Sequence, residues 1–360
     1  MSQSSIHIGL ALVMGWLSAN GWRRDNSQVE QLFNLQPYLD LAKQAEQAKL
    51  DFVFRPDTLF LKTAPLATEP GFSNLDPFVL LSAIASHTQK IGLVATASTT
   101  FLPPYVVARQ LQSLHWLSQG RAGWNLVTAI EGQQNFGESP LSPSKQRYEK
   151  AQEHLEVVQK LWHSYPNSSL KMDKHSKQFA DIEQVQPIQH TGEYFHVKGP
   201  LSTPATPFGD IPLFQAGASD QGRAFAAKVA SAVFAATPDL EAGIELRQDL
   251  RKRAAQLGRD PNEIKVLPGL SLYLAETRNC DGRVVLIFQP AEEGGGGGEV
   301  MVQEGLMDRW DIDEVYGMHN MPGHPTGHFA IREGALLAAA DEFNITLTGQ
   351  GGHAAAPHEA

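Results

Sequence analysis

The 360-residue sequence has a single cysteine, Cys280, so it can form no internal disulfide and no CxxC metal site. Such usage suits a reducing compartment. Basic runs are also missing: 29 Lys and Arg stand against 39 Asp and Glu, a formal charge of −10, and no surface for nucleic-acid phosphates is expected. No apolar stretch approaches the roughly 20 residues that cross a bilayer, so no membrane partner is expected either. The apolar start from Ile6 to Leu17 has no Lys or Arg before Arg23 and no clear small-residue cleavage pattern, and it reads as a first core strand, not as a signal peptide. A cytoplasmic chain is expected.

What is present is unevenly spread. From Asp281 to Ala360 there are three Arg, no Lys and thirteen acidic residues, which leaves 26 basic and 26 acidic groups in the first 280. Fourteen of the 31 glycines also follow Cys280. This composition break near residue 275 marks two sources of sequence.

Before the break, short β-branched runs alternate with longer helical spacings, the sign of repeated βα units on a parallel sheet. Strands are predicted at Ile6–Leu12, Asp51–Pro56, Ile91–Ala97, Ala122–Thr128, Pro212–Ala216, Ala232–Ala235 and Lys265–Leu270, with helices between them such as Leu35–Ala48 and Tyr148–Trp162. Seven strands point to a TIM-type (β/α)8 barrel lacking its last βα unit. The alternative, a doubly wound open sheet, usually carries an early Gly-x-Gly-x-x-Gly turn, and none follows the first strand.

In a barrel, chemistry gathers at the carboxyl ends of strands. Polar candidates there are Asp57 after the second, Thr96 and Ser98 on the third, Asn125 and Thr128 on the fourth, and Ser219 after the fifth. Each alone is more often a turn or cap residue. The segment Gln215-Ala-Gly-Ala-Ser-Asp-Gln-Gly222 leads a strand into a helix through Gly217, Ala218 and Ser219. Backbone amides at that helix start and the Ser219 hydroxyl suit a phosphate, and small residues let it approach; the competing reading is a plain N-cap. A serine nucleophile elbow would need Gly where Gln221 stands.

Four ordered motifs carry a resemblance: Lys90-Ile-Gly-Leu-Val-Ala-Thr-Ala-Ser-Thr-Thr-Phe101, Gly120-Arg-Ala-Gly-Trp-Asn-Leu-Val-Thr128, Arg147-Tyr-Glu149 and the Ser219 bend. Over about residues 5–270 the chain resembles the flavin-dependent monooxygenases of the bacterial-luciferase type, the group around nitrilotriacetate, dibenzothiophene-sulfone and long-chain alkane monooxygenases. The resemblance implies a barrel that uses FMN as FMNH2, supplied by a partner NAD(P)H:flavin reductase, and that passes one oxygen atom of O2 to a small organic substrate. It implies a homodimer. It places Asp57, Thr96, Ser98, Asn125 and Thr128 by the flavin and Tyr148, Gly217, Ala218 and Ser219 at its phosphate. Ala129 and Ser144 depart from the polar residue and the histidine that members often carry there.

Beyond residue 270 the pattern changes. Phe288-Gln-Pro-Ala-Glu-Glu-Gly294, Tyr316-Gly-Met-His-Asn320 and Gly349-Gln-Gly-Gly-His-Ala-Ala-Ala-Pro-His358 resemble the M20-type amidohydrolases, the group of hippurate and auxin-conjugate hydrolases. Adjacent carboxylates past a buried strand can divide metal binding from general-base work on metal-bound water. The resemblance assigns Glu292 as general base, Glu293 and His319 as ligands of a divalent metal, and His353 as a contact to substrate or intermediate. The expected domains are a truncated monooxygenase barrel over 1–270 and an amidohydrolase fragment over 271–360, a catalytic-domain piece to about 340 followed by the start of a lid or dimerisation domain. The family's upstream Cys-Gly-His-Asp-type segment and distal histidine do not occur in the sequence, and no amidohydrolase activity is expected from it alone. The final Pro-His-Glu-Ala reads as a stop inside a motif. An inactive chimera is the remaining alternative.

Overall fold

The computed structural model describes residues 6–13, 21–23, 27–137, 140–217, 219–237, 240–269 and 303. The chain divides into two units, Met1–Gly298 and Glu299–Ala360, and every element below belongs to the first. In chain order these are β1 (Gly9–Ala11), α1 (Leu35–Gln47), β2 (Phe52–Arg55), α2 (Pro77–Ala85), β3 (Gly92–Ser98), α3 (Pro104–Leu117), β4 (Ala122–Val127) and α4 (Ser144–His163). There follow β5 (Leu170–Asp173), β6 (Gln178–Ala180), β7 (His190–Thr191), β8 (His196–Val197), β9 (Leu213–Ala216), α5 (Asp220–Val229), β10 (Ala232–Ala235), α6 (Leu240–Gln256) and β11 (Lys265–Pro268).

Seven strands form one sheet in the order β1-β2-β3-β4-β9-β10-β11, with every neighbouring pair parallel. A doubly wound sheet reverses its strand order at a switch point; this one runs in sequence order throughout, as a barrel's strands do. Adjacent strands lie about 4.8 Å apart. Three such steps separate β2 from β9, yet the Phe52 and Phe214 ring centroids are 5.2 Å apart, and Phe54 stacks on Phe234 of β10 at 4.3 Å. Only a strongly curled sheet brings those strands face to face. The register sets Phe52 beside Gly9 and Gly92, and Asn125 beside both Thr96 and Phe214, so these residues share the concave face. A Cβ at Gly9 would fall 2.1 Å from the Phe52 ring, so the aromatic filling depends on a bare backbone there.

The convex face carries Val53, Leu93, Ala95, Trp124 and Leu126, all buried against the helices. Those helices begin on legible signals. Asp76 caps α2 by accepting the Val79 N–H, with Pro77 in the first turn, and α3 starts on Pro103 and Pro104. α4 buries Ala151, His154, Leu155, Val158, Leu161 and Trp162 along one stripe. At the opposite, amino-terminal ends of the strands, Glu46 accepts three backbone N–H groups, of Gln89, Lys90 and Ile91. Arg121 donates there to the carbonyls of Ala85, Thr88, Ile91 and Ser118, so that end is built for stability.

All seven predicted strands occur: β10 as predicted, β3 shifted by one residue to end at Ser98, and the other five trimmed. β1 is shorter than Ile6–Leu12 because Ile6 and Ile8 are exposed and the Ile8 N–H is taken by the Asp51 carboxylate. Leu270, the predicted end of β11, lies outside the described residues. The β5–β6 and β7–β8 hairpins were not anticipated by the strand reading. Among the described residues no helix is long and apolar enough to cross a membrane.

Candidate flavin site at the carboxyl ends of the strands

Thr96 and Asn125, paired in register on β3 and β4, are 5% and 3% exposed. The Thr96 hydroxyl donates to the Arg55 carbonyl at 2.8 Å and accepts from Asn125 Nδ2 at 3.0 Å. That leaves Asn125 Oδ1, buried on the concave face, with no hydrogen-bond partner. A buried acceptor without a donor costs about 1–3 kcal/mol, a penalty that a ligand N–H placed there would remove. Ser98 ends the same strand and accepts the Thr100 N–H at 3.2 Å, and Thr128 stands half-buried just past β4.

Asp57 follows β2, half-buried. Burial pushes its carboxyl up to about 6, with the nearby Asp76 charge adding to the rise, against the opposing pull of the Thr58 N–H and of Arg55. Arg55 is 1% exposed. It donates to the Leu12 carbonyl and to Asn74 Oδ1, and lies 5.5 Å from the Tyr38 ring centroid. It thus faces the helix layer and lends Asp57 charge from behind. Asp57 therefore changes protonation near neutral pH, as a group placed to hold or move a proton would.

At the β9–α5 bend, Ser219 Oγ accepts the Gly222 N–H at 3.1 Å, so the N-cap reading is realised. The capping oxygen keeps its own O–H free to point outward, and the residue is exposed. A Cβ added at Gly217 would lie 3.0 Å from the Tyr148 hydroxyl, and one at Gly222 2.9 Å from it. α4, the bend and the start of α5 therefore meet at van der Waals distance. Asp220, whose charge would oppose an anion at a helix start, is neutralised by Arg253 at 2.6 Å. Ala218 lies outside the described residues.

The structure sets Thr96, Ser98 and Asn125 in one sheet, with Asp57 just past β2, and separately places Tyr148 against Gly217 and Gly222, which flank Ser219 in sequence. Glu292, Glu293, His319 and His353 lie outside the described residues, and among the described residues no group of three His, Cys, Asp or Glu could hold a metal ion. Sequence reasoning missed Lys150 and His154 on α4, which bond to the loop after β3. Their signal was a pair of basic residues set into an apolar helix stripe.

A family model described as luciferase-like monooxygenase matches residues 14–280, and one described as peptidase family M20/M25/M40 matches residues 266–359. The chain is 39% identical over 281 residues to N-acetyl-S-(2-succino)cysteine monooxygenase of Bacillus subtilis, covering 77% of this chain and 63% of that enzyme. The solved long-chain alkane monooxygenase is similar at a TM-score of 0.69 and 32% identity, over 74% of this chain and 64% of that one. A riboflavin lyase solved with modified FMN and riboflavin is similar at 0.68 and 31%, over 74% and 62%. In the tail, 88 residues are 44% identical to hippurate hydrolase of Campylobacter jejuni, 24% of this chain and 23% of that enzyme. The chain thus spans under two thirds of the length of each of these monooxygenases.

Proposed function

Since the chain belongs to the luciferase-like monooxygenase family, we propose that its first unit is the flavin-binding part of an FMNH2-dependent monooxygenase that oxidises a small organic substrate with O2. Its seven curled strands are, in this reading, an eight-stranded barrel without its last βα unit, spanning 1–270. A separate NAD(P)H:flavin reductase supplies the reduced cofactor, and the protein acts as a homodimer in the cytoplasm. The reduced flavin supplies the two electrons that, with O2, place one oxygen atom in the substrate and release the other as water.

The chain's own residues do the rest. The Tyr148 and Ser219 hydroxyls and the amides around Gly217 and Ala218 hold the phosphate, for which hydroxyl donors at a helix start are suited. Thr96, Ser98, Asn125 and Thr128 orient the ring, with Asn125 Oδ1 accepting a ring N–H, and Asp57 takes up or gives a proton beside it. The orphaned Asn125 acceptor on the concave face carries this reading most directly. Titration of the purified chain with FMN, followed by quenching of flavin fluorescence, tests it. Saturable binding weakened by both Ser219→Ala and Tyr148→Phe is expected; no binding by a soluble, folded chain would overturn the proposal.

A second reading concerns residues 271–360, most of a stretch that matches the M20 family; in it we infer Glu292 as base, Glu293 and His319 as metal ligands, and His353 on the substrate. Two protein ligands fall short of the three or four that hold zinc, so we propose no amidohydrolase turnover from this chain. Stoichiometric zinc in the dialysed protein, lost on Glu293→Gln, would refute that.

A further inference from the structure

α4 turns Arg147, Lys150 and His154, spaced by three and four, along one of its faces. Each donates to a main-chain carbonyl: Arg147 to Ser142, Lys150 Nζ to Thr100 at 2.7 Å, and His154 Nε2 to Leu102 at 3.0 Å. Thr100 and Leu102 lie two residues apart in the loop that leaves β3 just after Ser98. The other side of this loop is stitched to β4: the Thr99 N–H and hydroxyl both donate to the Val127 carbonyl, and the Thr100 hydroxyl accepts the Ala129 N–H. A different face of the same helix presses Tyr148 against the β9–α5 bend and sets its ring, tilted, 5.7 Å from that of Phe225. One helix therefore fixes both the loop that directly follows the ring-side residues Thr96 and Ser98 and the bend that carries the phosphate-side residues.

His154 is completely buried, tilted against Trp124 at 5.8 Å and edge-on to Phe195 at 5.5 Å, and its Nδ1 has no partner. A leucine would fill that space without burying an unsatisfied nitrogen. The single bond to the Leu102 carbonyl is what the imidazole adds.

We propose that Lys150 and His154 are positioning residues for the flavin site: through the Thr100 and Leu102 carbonyls they hold the loop after β3 in place relative to the β9–α5 bend, without touching the cofactor. This rests on the flavin reading above. The deletion variants are His154→Leu and Lys150→Met; the conservative ones, His154→Gln and Lys150→Arg, each keep a donor. In the full chain, two quantities are measured: FMN affinity, and amide hydrogen exchange of residues 98–102. A lost hydrogen bond of ordinary strength predicts roughly tenfold weaker FMN binding for each deletion, with faster exchange in the loop, both restored by the conservative variant. Deletion variants that bind FMN and exchange as the parent does would overturn the proposal. So would conservative variants as impaired as the deletions, since that pattern marks a packing effect. Should the parent chain bind no FMN, the flavin reading falls and exchange at 98–102 alone decides the clamp: faster in the deletions and restored by the donors supports it, unchanged overturns it. If His154→Leu does not fold, the half-buried Lys150 pair gives the same decision.

Discussion

Replacing His154 by glutamine should flatten part of the acid branch of the protein's stability profile. Burial holds the imidazole neutral and pushes its pKa down from 6.5 to about 4, with the Lys150 charge acting in the same direction and the bond to Leu102 opposing. Between those two values the unfolded chain binds a proton that the folded chain refuses, so stability falls as pH falls. The contribution is fully present above about pH 6.5, declines through the window, and is gone below about pH 4. It amounts to about 3 kcal/mol, taking 1.36 kcal/mol for each tenfold change in proton affinity. Glutamine keeps a donor near Nε2 and cannot ionise, so its variant loses none of this. Urea unfolding at several pH values, followed by tryptophan fluorescence, to which Trp124 beside His154 and Trp162, 6.3 Å from Trp124, contribute, reads the difference. Other groups titrate alike in both proteins and cancel. The two stability curves should converge, or cross in favour of the glutamine variant, as pH falls from 7 to 4.5. Curves that stay parallel would refute the account of His154 as a buried neutral donor.

Asp57→Asn should raise stability at pH 8 more than at pH 5, because burial of the ionised carboxylate is what lifts its pKa to about 6. In the same variant, any pH dependence of FMN affinity centred near pH 6 should vanish; a midpoint that persists would assign it to another group. Gly217→Ala should weaken FMN binding by tenfold or more, since its Cβ would meet the Tyr148 hydroxyl at 3.0 Å and Gln215 Nε2 at 2.6 Å. An unchanged affinity by titration would show that the bend yields freely. Glu153→Gln should loosen the β7–β8 hairpin, because this carboxylate accepts from His190 at 3.1 Å and from the Tyr194 and Phe195 amides; hydrogen exchange at 190–197 measures it.

The sheet was legible because its strands are compact, mostly apolar runs between helical spacings, and Ala232–Ala235 matches residue for residue. The hairpins were not. Their strands are two to four residues long and largely polar, and β7–β8 is held to α4 by Glu153, a tether some forty residues distant in sequence. The Ser219 bend was legible down to its capping hydroxyl. The orphaned oxygen of Asn125 was not, because it follows from the pairing of β3 with β4, where Thr96 satisfies only the amide nitrogen. The donors on α4 were hidden for a like reason: Lys150 and Thr100 are fifty residues apart, and a basic residue in a helix reads first as solvated surface.

The rings of Phe52, Phe54, Phe214 and Phe234 occupy the space enclosed by the curled sheet. For a ligand held at the carboxyl ends of the strands, as proposed, these rings would form an apolar floor, and the loops after β2, β3 and β4 would be the parts of the chain that decide which guest fits above it.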